Sequence, residues 1–342
     1  MSHLSRRSFL QTSSAAAIAA SLPHILHAAS VTESQFKLAV ITDEISPDFD
    51  HACSVIANDF GMHYAELRTM WGKNIIGMSD DDLAKAETIL RKYKLQVTDI
   101  GSPLFKTDFP GAPIAKARAS ADTHGAGDPG FKEQDEILEK SIALAKRFKT
   151  DRIRCFDFWR LDDQKPFRAA IDSKLLEAAN HVGKENLILV LENEFACNTA
   201  TGRESAQVLA SVQSPYLQLN WDPGNAVARG ELDAFPAGWD LLPKDRIGHC
   251  HVKCAVSKPG TKSGFEWAPV GQGLPDWTAQ FKAFKKIKYR HAISLETHWT
   301  GGGSPEASTR ISWAGEHDAL VKAGAASPSA VTGDWPKVDI TG

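Results

Sequence analysis

From about residue 36 onward, the sequence repeats one unit: a short β-rich run, a polar loop and an amphipathic helical segment. The predicted strands are Lys37–Thr42, Tyr64–Arg68, Leu95–Ile100, Arg152–Phe158, Leu187–Glu192, Leu217–Trp221, Ile247–Lys253 and Ala292–Glu296. Helical patterns between them include Asp80–Lys94, Phe131–Phe148 and Asp172–Val182. Alternating strands and helices predict a parallel sheet with right-handed crossovers. Eight units in this length favour a closed α/β barrel, the (β/α)8 TIM barrel, over an open sheet. No Gly-x-Gly-x-x-Gly follows the first strand, which argues against a dinucleotide-binding fold.

The first thirty residues are typical of an export signal. Ser5-Arg6-Arg7-Ser8-Phe9-Leu10 is a twin-arginine pattern, and it is followed by an alanine-rich run and by small residues near Ala29. This order predicts export by the twin-arginine route to the periplasm or another extracytoplasmic space. A basic N-terminal segment that contains the arginine pair by chance is the alternative. The apolar run is too short to span a membrane, so no membrane anchor is expected after the signal is removed.

The predicted domain organisation is a signal over residues 1–30, one catalytic barrel over residues 31–323 and a C-terminal tail over residues 324–342. The formal net charge is −3, and no run of Lys and Arg stands out. Nucleic acid and anionic membranes are therefore poor partners. The five cysteines are scattered and odd in number, which argues against a disulfide framework.

Two connections are longer than ordinary loops. Phe105–Gly130 follows the third predicted strand, and Ser257–Asp276 follows the seventh. Both come after strands, at the end where barrel enzymes build their sites. Disordered insertions are the alternative interpretation.

Carboxylates and histidines fall at the ends of four consecutive strands. Side chains alternate along a strand, so residues of equal parity share a face. The residues that share a face are Val190, Glu192 and Glu194; Gln218, Asn220 and Asp222; His249, His251 and Lys253; and Ser294, Glu296 and His298. Cys250 and Cys254 have the opposite parity and are expected to pack against helices. The residues predicted to meet at the carboxyl ends are Glu192, Asp222, His251 and Glu296.

A divalent cation bound between these residues would offset the electrostatic cost of placing three carboxylates side by side. Charged groups inside a barrel cost several kcal/mol each unless they are paired or coordinated. Three carboxylates and one imidazole form a ligand set that favours Mn²⁺, with Co²⁺, Mg²⁺ or Zn²⁺ as alternatives. This set differs from the sulfur-rich ligand sets of many zinc sites. His249 is a second candidate ligand on the seventh strand, and His251 is preferred because it lies nearer the carboxyl end. Taken singly, each of these residues would more often be a structural salt-bridge partner.

Four segments carry a resemblance to a known family. They are Leu191-Glu192-Asn193-Glu194, Trp221-Asp222-Pro223-Gly224-Asn225, His249-Cys250-His251-Val252-Lys253 and Leu295-Glu296-Thr297-His298. With the Gly-x-Gly turn at Gly271-Gln272-Gly273, the chain from Phe36 to Trp299 resembles the sugar phosphate isomerase/epimerase family of xylose-isomerase-like TIM barrels. Cys254 stands where many relatives have Asp, which leaves the substrate open.

The resemblance implies a metal-dependent isomerase or epimerase. Ketose 3-epimerases of that family bind one divalent ion through Glu, Asp, His and Glu on strands five to eight, which correspond here to Glu192, Asp222, His251 and Glu296. It further implies that Glu192 and Glu296 are the catalytic acid/base pair, which transfers a proton alpha to a sugar carbonyl through an enediolate. The residues expected to bind substrate are Lys253, His298, Glu66, Arg154 and His249. The expected partner is a small-molecule sugar or keto-sugar, and a homo-oligomer is left open.

Three other functions use this fold or this kind of site. A lyase or hydratase acting on 3-keto sugars or keto-glycosides would use the same metal and base and then expel a leaving group. An endonuclease for abasic DNA would need a multinuclear zinc site with more His and Glu ligands and a basic surface, and neither feature is present in the sequence. A binding module without catalysis would not need all four predicted ligands.

Overall fold

The computed structural model describes residues 34–116, 124–127 and 129–327. Eight parallel strands form one sheet. They are β1 (Lys37–Val40), β2 (Tyr64–Leu67), β3 (Gln96–Leu104), β4 (Arg152–Cys155), β5 (Ile188–Glu192), β6 (Leu217–Trp221), β7 (Ile247–Val252) and β8 (Ala292–Leu295). Each strand pairs with the next in the chain from β2 to β8, and β8 pairs with β1. A parallel bridge between Ile41 and Glu66 joins β1 to β2 and brings the sheet close to a full barrel.

Helices follow the strands and cover the outside of the barrel. They are α1 (Phe49–Ser54), α2 (Asp80–Tyr93), α3 (Gln134–Phe148), α4 (Arg168–Gly183), α5 (Gly202–Ser211), α6 (Pro223–Ala228), α7 (Trp239–Leu241), α8 (Trp277–Lys286) and α9 (Pro305–Lys322). Polar caps fix several helix starts; Thr201 and Glu204, for example, form a capping box at α5. Short 3₁₀ segments occur at Thr42–Glu44, Ile75–Gly77, Phe131–Glu133 and Lys244–Arg246, and π-helical turns at Val55–Asp59 and Ala234–Gly238.

The alternation of side chains along the strands separates the core from the site. On β5, Leu189 and Leu191 are buried in the main hydrophobic cluster between the sheet and the helices. Val190 and Glu192 have the opposite parity and point into the barrel. Burial of the apolar face therefore fixes the register that aims Glu192 inward.

The structure confirms the predicted barrel and corrects some boundaries. The third strand continues to Leu104, beyond the predicted end at Ile100, and its pairing with β4 is irregular between Ile100 and Leu104. Gly101 and Pro103 lie in this extension, and such residues are read from sequence as the start of a loop. Helix α4 begins at Arg168, four residues before the predicted start at Asp172. Phe131–Glu133, predicted as the start of the third helix, is 3₁₀.

The long connection after the seventh strand is ordered. Its residues Phe265–Ala268 pair antiparallel with Cys254–Ser257 in a short hairpin above the barrel. A second hairpin pairs Thr69–Met70 with Lys73–Asn74. Cys250 and Cys254 are buried in the hydrophobic core, as their parity predicted, and all five cysteines are free.

Several predicted features lie outside the described residues. They are the export signal over residues 1–30, part of the connection after β3 and the tail beyond residue 327. Export and periplasmic localisation therefore stay predictions. Among the residues that are described, no helix is both long enough and apolar enough to cross a membrane.

Candidate metal centre and active site

The structure brings the four predicted ligands together at the carboxyl end of the barrel. Glu192 ends β5, Asp222 follows β6, His251 lies in β7 and Glu296 follows β8. All four are buried, and one ligand atom from each lies within 4.8 Å of the others. Neighbouring parallel strands end at the same edge, so residues far apart in sequence meet here.

The imidazole of His251 is oriented as a ligand would be. Its Nδ1 lies 3.2 Å from Glu296 Oε2, 3.5 Å from Glu192 Oε1 and 3.8 Å from Asp222 Oδ2. None of these approaches has hydrogen-bond geometry, and Nδ1 is a buried polar atom with no hydrogen-bond partner in the described part of the chain. A nitrogen aimed between three carboxylates fits a shared divalent cation. The residues present therefore fit the metal that the resemblance implies.

Glu66 and His249 lie behind this imidazole. Glu66 Oε1 is 3.1 Å from His251 Nε2, and Glu66 Oε2 is 3.0 Å from His249 Nε2. Burial alone would raise the pKa of Glu66, but the two histidines hold it well below its usual value, so the carboxylate is an acceptor only. It therefore places a proton on Nε2 of His251 and leaves Nδ1 directed at the carboxylates.

Glu66 and His249 were predicted to bind substrate. Both are fully buried. Glu66 contacts His249 and His251, and the rings of the two histidines pack against each other. The geometry therefore supports a role in holding His251, and substrate binding by these two residues stays a prediction. His249 Nε2 is directed at Glu66, away from the group of three carboxylates, which is why His251 is the better ligand on β7.

Three buried cations balance the carboxylates. Lys253 Nζ lies 2.9 Å from Asp222 Oδ2 and also contacts Glu296 Oε2. Arg68 Nη1 donates to Glu296 Oε1 at 2.6 Å, and Arg154 Nη1 donates to Glu192 Oε2 at 3.3 Å. Glu192 and Glu296 each accept from an arginine through one oxygen and direct the other oxygen towards His251. Asp222 instead meets Lys253 through Oδ2, the same oxygen that lies nearest His251.

Local sequence explains how Asp222 is held. The segment Asp222-Pro223-Gly224-Asn225 starts α6, with Pro223 in its first turn, and Asp222 Oδ1 accepts the backbone N–H of Asn225 at 2.8 Å. Asn193 accepts the Asp222 N–H and donates to the Asp222 carbonyl, both at 2.7 Å. The capping bond occupies Oδ1 and leaves Oδ2 for the site.

The acidic groups of the site differ in protonation. Burial and the neighbouring Glu192 and Glu296 raise the pKa of Asp222 to about 7, although Lys253 opposes the shift. Burial would also raise the pKa of Glu192, but His251 and Arg154 hold it at about 2. Burial lowers the pKa of His251, whereas Glu66, Glu192 and Glu296 raise it well above its usual value. The site therefore holds a proton on Asp222 or His251 near neutral pH, where a cation would take its place.

The structure also places residues in the site that the sequence did not single out. Arg68 donates through Nε and Nη2 to Asp43 and through Nη2 to Glu44 Oε1 at 2.8 Å. These bonds hold the guanidinium in the position from which Nη1 donates to Glu296. Asn225 Nδ2 donates to both Glu192 Oε1 and Glu194 Oε2. Arg68 shares parity with Glu66 on the predicted second strand, and this signal could have found it. Asp43, Glu44 and Asn225 lie beyond strand ends, where the alternation no longer applies.

The remaining predicted substrate residue, His298, lies at the rim. Its Nδ1 is 3.3 Å from Glu44 Oε1 and its ring packs against Trp267. It has a left-handed φ of 50°, so the strand alternation ends after Glu296 and His298 is not aimed at the four ligands by parity alone. Its position beside the site is compatible with the predicted contact to substrate.

A cleft of about 950 Å³ opens at the same end of the barrel. Its walls come from the segments that follow β3, β4, β5, β6 and β7, including the ordered hairpin. A smaller cavity of about 290 Å³ lies on the other side, lined in part by Arg68, Glu44 and His298. The smaller cavity adjoins the candidate centre through Arg68, which donates to Glu296, whereas the four predicted ligands do not line the larger cleft.

Comparison with known proteins places the chain in a family. Residues 55–317 match the family model described as "Xylose isomerase-like TIM barrel". The chain belongs to the xylose isomerase-like TIM barrel family. This confirms the fold and the family predicted from the sequence and agrees with the predicted class of enzyme, an isomerase. No curated protein matches the chain in sequence.

Solved structures share the xylose isomerase-like barrel at low identity. The probable 3-DHS dehydratase AsbF involved in petrobactin synthesis from Bacillus anthracis is 20% identical, with a TM-score of 0.59, over 84% of this chain and 98% of that chain. The IOLI protein with a bound zinc atom is 16% identical, with a TM-score of 0.62, over 84% and 99%. D-allulose 3-epimerase from Methylomonas sp. is 16% identical, with a TM-score of 0.59, over 85% and 99%. At these identities the likeness shows the fold alone.

Proposed function

We propose that this chain is a divalent-metal-dependent sugar isomerase or epimerase that transfers a proton at the carbon next to a carbonyl. The observation that carries the proposal is the convergence of Glu192, Asp222, His251 and Glu296 within 4.8 Å at the catalytic end of the barrel. These residues would hold one ion, with Mn²⁺ preferred and Mg²⁺, Co²⁺ or Zn²⁺ as alternatives. When bound, the ion supplies Lewis-acid stabilisation of the negative charge that develops on the substrate's oxygens.

The protein's own residues would handle the proton. Glu192 is ionised, because its pKa is held at about 2, and is suited to remove the proton alpha to the carbonyl. Glu296, on the neighbouring side of His251, would return a proton. Lys253 contacts Glu296 Oε2 and is buried beside it, and the two groups hold each other in their charged forms, so Lys253 would position this carboxylate. The proton that Glu296 returns would come from a substrate hydroxyl or from solvent. Arg154 and Arg68 fix the orientation of the two carboxylates.

The site is also compatible with a second outcome of the same proton removal. A lyase or hydratase acting on 3-keto sugars or keto-glycosides would expel a leaving group from the carbon beta to the carbonyl. The cleft of about 950 Å³ beside the centre favours this alternative, because it offers room for a leaving group beyond a single sugar ring. One structural relative is named a probable 3-DHS dehydratase, and a dehydratase would carry out this reaction type.

Incubation in D₂O tests the proposal and separates the two outcomes. Protein loaded with Mn²⁺ is mixed with free ketohexoses and with 3-keto-glucosides, and NMR follows deuterium entry, epimer formation and release of the aglycone. Deuterium in a ketose with formation of its epimer supports the isomerase, whereas aglycone release alone supports the lyase. Absence of both, with metal bound, overturns the proposal. Glu192→Gln should abolish either reaction, with a loss of at least about 100-fold in kcat, while Glu87→Gln on α2 serves as the control.

A further inference from the structure

The large cleft beside the candidate centre carries an unbalanced positive charge. Its charged lining residues are Lys116, Arg160, Arg229, Lys262, Asp162 and Glu204. Lys116 pairs with Asp162 and Arg160 pairs with Glu204, each at 2.5 Å. Within the described ranges, neither Arg229 nor Lys262 has an ion-pair partner. Two cationic groups therefore face the cleft without a counterion, in a chain whose overall formal charge is negative.

The excess positive charge of the cleft changes the pKa of Arg229. It lies directly after α6, the helix that Asp222 caps, and it shares the cleft wall with Arg160. Partial burial and the nearby guanidinium of Arg160 lower the pKa of Arg229. An incoming anion would relieve this repulsion, since a guanidinium forms paired, charge-assisted hydrogen bonds with carboxylate and phosphate oxygens.

Most of the uncharged residues in the wall are apolar or aromatic, and Gln164 and Ser263 are the polar ones. Phe195, Phe265, Leu161 and Ala196 line the same space. The ring centroids of Phe195 and Phe265 lie 5.6 Å apart and the ring planes meet at 68°, so the edge of one ring faces the plane of the other. Such a surface suits a flat apolar group, while the arginine and lysine suit an oxyanion attached to it.

The side chain of Trp267 lies between the wall of the cleft and the candidate centre. Phe265 contacts Trp267 at 4.9 Å between ring centroids, and Lys253 Nζ lies 5.2 Å from the centre of the Trp267 ring. Lys253 in turn contacts Asp222 and Glu296. A substrate bound at the four predicted ligands and long enough to extend past Trp267 would enter the cleft.

We propose that this cleft is a second substrate subsite, which binds an apolar group bearing an oxyanion, a carboxylate or a phosphate, attached to the reacting sugar. The substrate class is then an acidic sugar conjugate, such as a glycoside with an acidic aromatic aglycone. This inference rests on the proposed function for the identity of the reacting ring. At about 950 Å³ the cleft is near the upper end of the range for ligand pockets, about 300–1,000 Å³, and exceeds the need of one sugar ring.

Direct binding of glycosides that cannot react tests the subsite. The probes are phenyl β-D-glucoside, its 4-carboxyphenyl analogue and its 4-phosphate analogue, and calorimetry measures their dissociation constants on the full chain. We expect at least one acidic probe to bind about tenfold more tightly than the neutral one, and the advantage to shrink with added salt. The carboxylate and phosphate arms identify which oxyanion is preferred. Equal affinity for all three probes would overturn the proposal.

The second part of the test is a double variant that removes the two unpaired cationic side chains. Arg229→Met/Lys262→Met should abolish the advantage of the acidic probes and leave the neutral probe unchanged. Arg290→Met is the matched control, because Arg290 is an exposed arginine just before β8, at the opposite end of the barrel. Retention of the full acidic preference by the double variant would refute the assignment.

The probes carry no carbonyl, so these measurements are independent of turnover. If the wild-type protein neither exchanges protons nor releases an aglycone yet binds the acidic probes through Arg229 and Lys262, the proposed function fails and the subsite stands. If turnover of ketoses occurs while the acidic probes show no advantage, the subsite fails and the proposed function stands.

Discussion

Glu66 Oε1 lies 3.1 Å from Nε2 of His251, while the other ring nitrogen of His251 faces three carboxylates. The two residues come from opposite parts of the sequence and are both fully buried. This pair fixes the tautomer and the orientation of the imidazole. The arrangement is the carboxylate–histidine support that metal-binding histidines in other proteins commonly have.

Removal of this support should weaken metal binding. Glu66→Ala is expected to lower the affinity for Mn²⁺ by about 10–100-fold, and Glu66→Gln by less, because the amide oxygen can still accept from Nε2–H. Calorimetric titration of the metal-free protein measures the effect, with circular dichroism as a check on folding. Glu87→Ala on α2, whose carboxylate pairs with Arg147 outside the barrel, is the control. A folded Glu66→Ala protein with unchanged affinity would contradict this role.

Metal binding should release protons. The neighbouring carboxylates hold the pKa of His251 well above its usual value against the effect of burial, and the pKa of Asp222 is raised to about 7. Near neutral pH a cation must therefore displace a proton from these groups, and its affinity should fall as the pH is lowered through 7. Titrations in two buffers of different ionisation enthalpy count the protons. A binding enthalpy independent of the buffer would be the opposing result.

A buried carboxyl group on α9, outside the group of four ligands, gives the stability of the protein a pH dependence of its own. Glu316 on α9 is fully buried, both its oxygens lack a hydrogen-bond partner in the described part of the chain, and burial raises its pKa well above the usual value. Because the folded pKa is raised, Glu316 contributes stability below its unfolded pKa of about 4.3 and loses that contribution as the pH rises.

Glu316→Gln should therefore stabilise the protein at neutral pH. We expect a gain of at least about 1 kcal/mol at pH 7, since one unit of pKa shift corresponds to about 1.4 kcal/mol. At pH 4 the gain should be smaller or absent. Urea unfolding at the two pH values checks this, and an equal effect at both would show that the carboxyl group is not neutral in the folded protein.

The close approach of Gly224 to Lys253 offers a further test. A Cβ at Gly224 would lie 2.4 Å from Lys253 Cγ and 3.0 Å from the Lys253 carbonyl oxygen. Gly224→Ala should push Lys253 away from Asp222 and Glu296 and lower kcat for proton transfer by about 10–100-fold. Gly77→Ala is the matched control, because a Cβ there meets nothing within 4 Å. Equal kcat values for the two variants would argue against a role for Lys253 in turnover.

The sequence predicted the barrel and the meeting of four residues because both follow from periodicity. Alternation along β5 to β8 is a local property, and parallel strands carry it to one edge of the sheet. The contacts of Asp43, Glu44 and Asn225 could not be predicted in this way, because these residues lie in turns whose direction depends on tertiary packing. The positive charge of the cleft was also hidden, since Arg160, Arg229 and Lys262 are separated in sequence and meet only when the segments after β4, β6 and β7 fold together.

The most direct test of the central claim is a crystal structure of the Mn²⁺-loaded protein with anomalous data at the manganese edge. The account predicts one peak whose protein ligands are carboxylate oxygens of Glu192, Asp222 and Glu296 and Nδ1 of His251, at about 2.0–2.3 Å, with Nε2 of His251 still held by Glu66. An ion bound elsewhere, or a fully loaded protein in which His251 Nδ1 is not a ligand, would contradict it.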